Sequence, residues 1–187
     1  MTRLFNSEAL PAFIRALEFA SRKHSTQRRK AAAASPYINH PIALVSILAV
    51  EARIRDPDVL CAALLHDTIE DTETSGDELE RHFGARIAGI VSEVTDDKDL
   101  EKHHRKRLQI EHAHALSPAA GLVKLADKIA NLRDVAESPP RDWDLKRRQE
   151  YFEWAKSVVD GIRNVPPVLR RLFDEAYDRR PKTTAPR

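Results

Sequence analysis

At 187 residues, 42% hydrophobic and 32% charged, the chain has the size of one globular domain, and its longest apolar stretch, Ile42 to Val50, is far short of the ~18 residues of a membrane span. The 31 basic and 29 acidic residues leave a net charge of +2, which gives no global attraction to nucleic acid, so any anion site has to be local. A lone cysteine, Cys61, excludes an internal disulfide, and the opening residues lack the pattern of a signal peptide, so no membrane partner and a cytosolic location are expected.

Helical periodicity recurs from end to end and strand alternation does not, so the expected fold class is all-α. The first helix starts near Ser7, with Leu10, Phe13, Leu17 and Ala20 on one face, and ends in the polar stretch Arg22 to Lys30. The loop AAAASPYIN reads as a mobile connection, since Pro36 restricts Ser35 to extended conformations. A second helix takes Pro41 at its first position and turns Ile42, Val45, Leu48 and Ala49 inward. Asp56 with Pro57 behind it caps a third, VLCAALLHDTIED, apolar nearly all round and therefore central and buried.

Ser75 and Glu78 have capping-box spacing ahead of Leu79 and Phe83, with Gly84 as the stop. The next helix turns Ile87, Ile90, Val91 and Val94 inward before the acidic turn TDDKD. A charged helix runs from about Glu101 to His114, and Ser117-Pro118 opens one carrying Leu122, Val123, Leu125, Ala126, Ile129 and Leu132. After Pro139-Pro140 a long helix from about Asp142 to Ile162 holds Tyr151, Phe152, Ala155, Val158 and Val159. A shorter one follows Pro166-Pro167, with Leu169, Leu172, Phe173 and Ala176. Residues 1–180 are expected to form one domain and 181–187 a disordered tail.

Only five glycines occur, without GxGxxG, and Ile90 and Val91 stand where a P-loop after Gly84 and Gly89 would need Lys and Ser/Thr. Phosphate would thus be handled by side chains or metals. His66 and Asp67 close the most apolar helix, where a buried carboxylate beside an imidazole is costly without partners. A hydrogen-bonded structural pair would satisfy them, and so would a divalent cation. His40, just before a helix, and Asp127, inside LVKLADKIANL, complete an N2O2 ligand set drawn from three helices and lacking the thiolates of structural zinc. If the third helix continues past Thr68, Glu70 and Asp71 lie one turn beyond His66 and Asp67, as Asn131 does beyond Asp127. Two carboxylates beside a metal-bound water suit general acid/base hydrolysis.

The strings YINHPI, ALLHDTIEDT and KLADKIANLRD, in this order and at this separation, resemble the HD-domain hydrolases of the RelA/SpoT family, in particular the stand-alone small alarmone hydrolases. The likeness runs from about Phe19 to Tyr151. It implies a manganese-dependent enzyme acting on a nucleotide, removing the 3′-pyrophosphate of guanosine tetra- or pentaphosphate to leave GDP or GTP. By motif, His40, His66, Asp67 and Asp127 match the metal ligands and Glu70 and Asp71 the catalytic acids, while Asn131 matches a residue near the ribose and metal. The chain departs from relatives at Ala31–Ala34 and at Ala130. It ends where long members begin their synthetase domain, so synthesis is not expected.

Arg28, Arg29 and Lys30 shortly precede the first ligand motif, and a substrate of four or five phosphates needs fixed cations. Arg29 and Lys30 are therefore candidate substrate residues. Lys102, near a basic position of the relatives, and Arg147 with Tyr151, one helical turn apart, are further candidates. His24, His82, His103, His104, His112 and His114 read as surface or helix-face residues. Two alternative functions stand beside the main one: removal of the 2′-phosphate of NADPH at the same metal site, implied by animal relatives, and a non-catalytic nucleotide-sensing module. Homo-oligomerisation is left open.

Overall fold

A computed structural model describes residues 9–30 and 34–182. Among them every regular element is helical, as the periodicity requires, and no helix is long and apolar enough to cross a membrane. The centre is α3 (Pro57–Leu65), whose residues Val59 to Leu65 are all buried and which packs against α1, α2, α6 and α8. Asp56 caps it as expected, accepting from the Asp58 N–H at 3.0 Å, with Pro57 in the first turn. The helix does not run on through Glu70. It breaks at His66 and Asp67, where Asp67 takes φ −100° and ψ 1°, and resumes as the single turn α4 (Thr68–Asp71).

Four features of the segment up to Glu51 differ from the sequence reading. In α1 (Ala9–Lys23), which packs against α3, the buried residues are Ala9, Ala16, Phe19 and Ala20, which leaves Leu10 half exposed at 50%, with Ile14 also exposed. α2 (Asn39–Val45) begins two residues before Pro41, whose missing N–H still falls in the first turn, where helical donors have no partner. It continues as a π-helical segment, Ser46–Glu51. Leu44, Ile47 and Leu48, spaced i, i+3, i+4, face the core and Ile42 is exposed. His24, read as a surface residue, is buried against the Tyr37 ring at 4.8 Å.

The remaining elements follow the capping signals. Ser75 accepts from the Glu78 N–H ahead of α5 (Gly76–Phe83), although the Glu78 carboxylate turns to Lys23 at 2.9 Å instead of back to the cap. Gly84, with φ 85° and ψ 161°, makes the corner into α6 (Ala85–Val94) in a region that side chains other than glycine's rarely enter. α7 (Lys102–His112) buries none of its residues and leads through a 3-10 turn into α8 (Pro118–Glu137), capped by Ser117. α9 (Leu145–Gly161) and α10 (Pro167–Tyr177) complete the bundle. The expected tail starts against the body of the protein, since Pro181 O accepts from Gln149 Nε2 at 2.9 Å. Its residues 183–187, like Ala31 to Ala33 of the loop expected to be mobile, lie outside the described residues. The flanks of that loop are joined by Arg29 N–H to Ser35 O at 2.9 Å and Tyr37 N–H to Gln27 O at 3.1 Å.

Candidate active site

The first turn of α2, the break between α3 and α4, and the middle of α8 converge on one point. One ligand atom each from His40, His66 and Asp67 lies within 4.8 Å of the others, and Asp127 Oδ1 is 3.2 Å from His40 Nε2. The broken helix lets two consecutive residues face a single centre, which a continuous helix, turning 100° per residue, would not allow.

The donor atoms have the chemistry of a cation site. His66 Nδ1 donates to Ala63 O at 2.9 Å, which leaves a lone pair on Nε2. That Nε2 is 2.9 Å from Asp67 Oδ2, yet without the geometry of a hydrogen bond, and it is buried with no other partner among the described residues. A divalent cation between imidazole and carboxylate would satisfy both. Tyr37 donates its hydroxyl to Asp67 Oδ2. Burial works to raise the pKa of Asp127, but the Lys128 ammonium, 3.0 Å from Oδ2, and His40 hold it well below the carboxylate range. Asn131 donates Nδ2 to Asp127 Oδ1 at 2.6 Å. Lys128 is itself seated on the Trp154 ring, 4.5 Å from its centroid.

α4 brings Glu70 and Asp71 to the edge of this centre in different states. Burial, with Asp67 and Asp96 nearby, pushes the Glu70 carboxyl up to about 7. Its Oε2 accepts the Asp96 N–H at 3.2 Å, and Arg105 lies 3.7 Å from Oε1. Glu70 is therefore able to exchange a proton near neutrality. Asp71 is held between two donors, Gln27 Nε2 at 2.9 Å and the Lys98 ammonium.

These groups line a cavity of about 330 Å³. Arg29, Lys30, Tyr37, Asn131 and Tyr151 also border an outer cavity and so form its mouth. Arg29 does not point freely into it, because its guanidinium donates to Asn131 Oδ1 at 2.9 Å and Asp134 Oδ2 at 2.6 Å. Arg28 donates to the carbonyls of Ser25 and Gln27. A third cavity of about 500 Å³ shares Tyr151 with the first and gathers Lys102, Lys106, Lys146 and Arg147, the last stacked on Trp143 at 4.8 Å.

Every expected site residue thus borders the metal group or an adjoining cavity. The sequence reading singles out none of Tyr37, Gln27, Lys124 and Lys128, and Lys106 reads from it as a solvated charge of α7. For Lys124 and Lys128 a signal is present: lysines three before and one after a carboxylate in an otherwise apolar helix are buried charges in need of partners.

An HD-domain family model matches residues 16–152. The human guanosine-3′,5′-bis(diphosphate) 3′-pyrophosphohydrolase MESH1 is 54% identical over 166 residues, covering 87% of this chain and 93% of the human protein. The Drosophila melanogaster protein of the same name is 50% identical, covering 90% and 94%. A solved structure, described as a metazoan ortholog of SpoT that hydrolyses ppGpp and plays a role in starvation responses, superposes with a TM-score of 0.87 at 50% identity, over 90% of this chain and 95% of its own.

Proposed function

The chain belongs to the HD-domain family, and from that premise we propose that it is a metal-dependent hydrolase that removes the 3′-pyrophosphate of guanosine tetra- and pentaphosphate, leaving GDP or GTP. The observation that carries this reading is Glu70, a carboxyl lifted to about 7 beside a buried His-His-Asp group suited to a cation. The printed activity of relatives at 50% identity and above supports it.

His40, His66, Asp67 and Asp127 are the proposed metal ligands, and manganese is the proposed ion because two imidazoles with two carboxylates suit a cation of intermediate hardness. When bound, it would acidify a water and draw charge from the phosphoryl oxygens. Glu70 accepts the proton of the attacking water. The water oxygen bonds to the phosphorus next to ribose O3′, the P–O3′ bond breaks, and O3′ takes up a proton. Asp71, fixed by Gln27 and Lys98, orients the water. Asn131 holds Asp127 in place, and Arg29 and Tyr37 hold Asn131 and Asp67. Lys30 at the mouth, with Lys102, Arg147 and Tyr151 in the basic cavity, receives the nucleotide and its 5′-phosphates.

The test incubates manganese-loaded protein with guanosine tetraphosphate, NADPH and simple nucleotides and identifies the products. GDP with pyrophosphate is expected. Turnover of NADPH alone would overturn the assignment.

A further inference from the structure

α8 carries two buried lysines beside Asp127. Lys128 has its counter-charge in Asp127 and its seat on Trp154. Lys124 has neither. It is 8% exposed, and its ammonium makes one hydrogen bond, to Val94 O at 2.9 Å, although it carries three donors. No carboxylate oxygen among the described residues forms an ion pair with it. The acids nearest in charge, Asp96, Asp127 and Glu70, are already engaged: Asp96 accepts from Gln109 at 2.5 Å, Glu70 from the Asp96 N–H, and Asp127 from Lys128 and Asn131. A buried cation without a paired anion is costly.

Its place in the cavity says what would pair with it. The mouth is the side shared with the outer cavity, lined by Arg29, Lys30, Asn131 and Tyr151. Val94, Val123, Gln109 and Lys124 border the metal cavity but neither the outer cavity nor the basic one, and so form the side away from the mouth, where Gln109 and Lys124 separate it from a further cavity of about 320 Å³. A nucleotide entering with its ribose at the mouth and its first 3′-phosphorus at the His-Asp group has its second 3′-phosphate directed inward. We propose that Lys124 binds that terminal phosphate, and that this contact makes the site favour a pyrophosphoryl over a monophosphoryl group. The proposal rests on the hydrolase reading above for its substrate, but the contact can be tested without turnover.

Lys124 also lies against the last carbonyl of α6, where a lysine can serve as a helix cap. Lys124→Gln separates the two roles, since an amide still donates to Val94 O but brings no charge. The probes are inorganic pyrophosphate and inorganic phosphate, titrated calorimetrically into the manganese-loaded protein. The variant should bind pyrophosphate about tenfold or more weakly, the range for a lost charge-assisted hydrogen bond, and change its phosphate affinity by less than about threefold. Lys124→Arg should restore most of the pyrophosphate affinity, and if the Gln variant does not fold, Lys124→Met, which gives up the cap as well as the charge, is read by the same contrast of pyrophosphate against phosphate, with its Tm reporting the loss of the cap. In kinetics, KM for guanosine tetraphosphate should rise more than KM for the analogue with a single 3′-phosphate. Equal losses for both ions, or unchanged pyrophosphate binding with an intact fold, would overturn the assignment. Absence of tetraphosphate hydrolysis in the unmodified protein would instead count against the hydrolase reading, leaving the calorimetry to decide on Lys124.

Discussion

Asn131 reaches back one helical turn to donate to Asp127 Oδ1 at 2.6 Å, while its own carbonyl oxygen accepts from Arg29. Asp127 is thus held on Oδ1 by an amide and on Oδ2 by Lys128. A carboxylate fixed at both oxygens cannot swing away from His40, so the geometry of these two proposed ligands is set without a cation.

Asp127→Ala should therefore lose metal and activity together. It removes a donor and leaves the Lys128 charge buried without its partner. Metal analysis after dialysis against limiting manganese reads the loss, and stoichiometric metal in this variant would take Asp127 out of the ligand set.

Glu70→Gln should keep the metal and lower turnover by about 100-fold or more, the lower range for general acid/base work. A second readout uses the metal-free protein. Glu70 titrates near 7 when folded but near its ordinary value when unfolded, so its carboxyl favours the folded state below about pH 4.5, and that contribution is lost as pH rises through about 7. Wild-type Tm should then fall more between about pH 5 and pH 8 than the Tm of Glu70→Gln, in which nothing titrates at this position. Parallel Tm profiles would show that the Glu70 carboxyl is not perturbed.

Arg147 and Arg29 should fail differently. Arg147 stands in the basic cavity, so Arg147→Ala should raise KM for guanosine tetraphosphate about tenfold, with a smaller effect for a substrate lacking 5′-phosphates. Arg29 is bound to Asn131 and Asp134, and its loss should lower kcat by similar factors for both substrates. Identical patterns in the two variants would remove the distinction.

Gly84→Ala should destabilise the fold by about 1–3 kcal/mol, because the α5–α6 corner needs a backbone conformation reserved in practice for glycine. Denaturant unfolding reads the change, and kcat should be unaltered, since Gly84 borders none of the cavities of the site. An unchanged midpoint would mean that the corner relaxes.

Much of this could be read from the residues, and the exceptions have physical causes. Caps at Asp56, Ser75, Ser117 and Gly84 are local signals and fall where the sequence puts them. Leu10 and Ile42 go astray because more than one face of each helix has apolar residues at helical spacing, and only packing selects Ala16, Phe19 and Ala20 in α1 and Leu44, Ile47 and Leu48 after it. Counting along one unbroken helix sets Glu70 and Asp71 one turn beyond His66 and Asp67. The helix is broken at His66 and Asp67, and Glu70 and Asp71 nonetheless reach the cavity because the chain resumes within one turn. A lysine in sequence reads by default as a solvated charge, which hides Lys124 and Lys128, although their place around Asp127 in an otherwise apolar helix already marks them as enclosed, as the packing shows.

The contact between His40 and Asp127 joins residues 87 apart in the chain. Closing so long a loop is slow and entropically expensive, and it has to be driven by the apolar contacts of α3 with α1, α2, α6 and α8. The proposed ligand set should therefore assemble late in folding, after the core has condensed, and a cation is not expected to template the fold as zinc does in a finger of a few dozen residues. Loading is then a separate step on an already folded chain, and a chelator should be able to reverse it and leave a native apoprotein ready to accept a different metal.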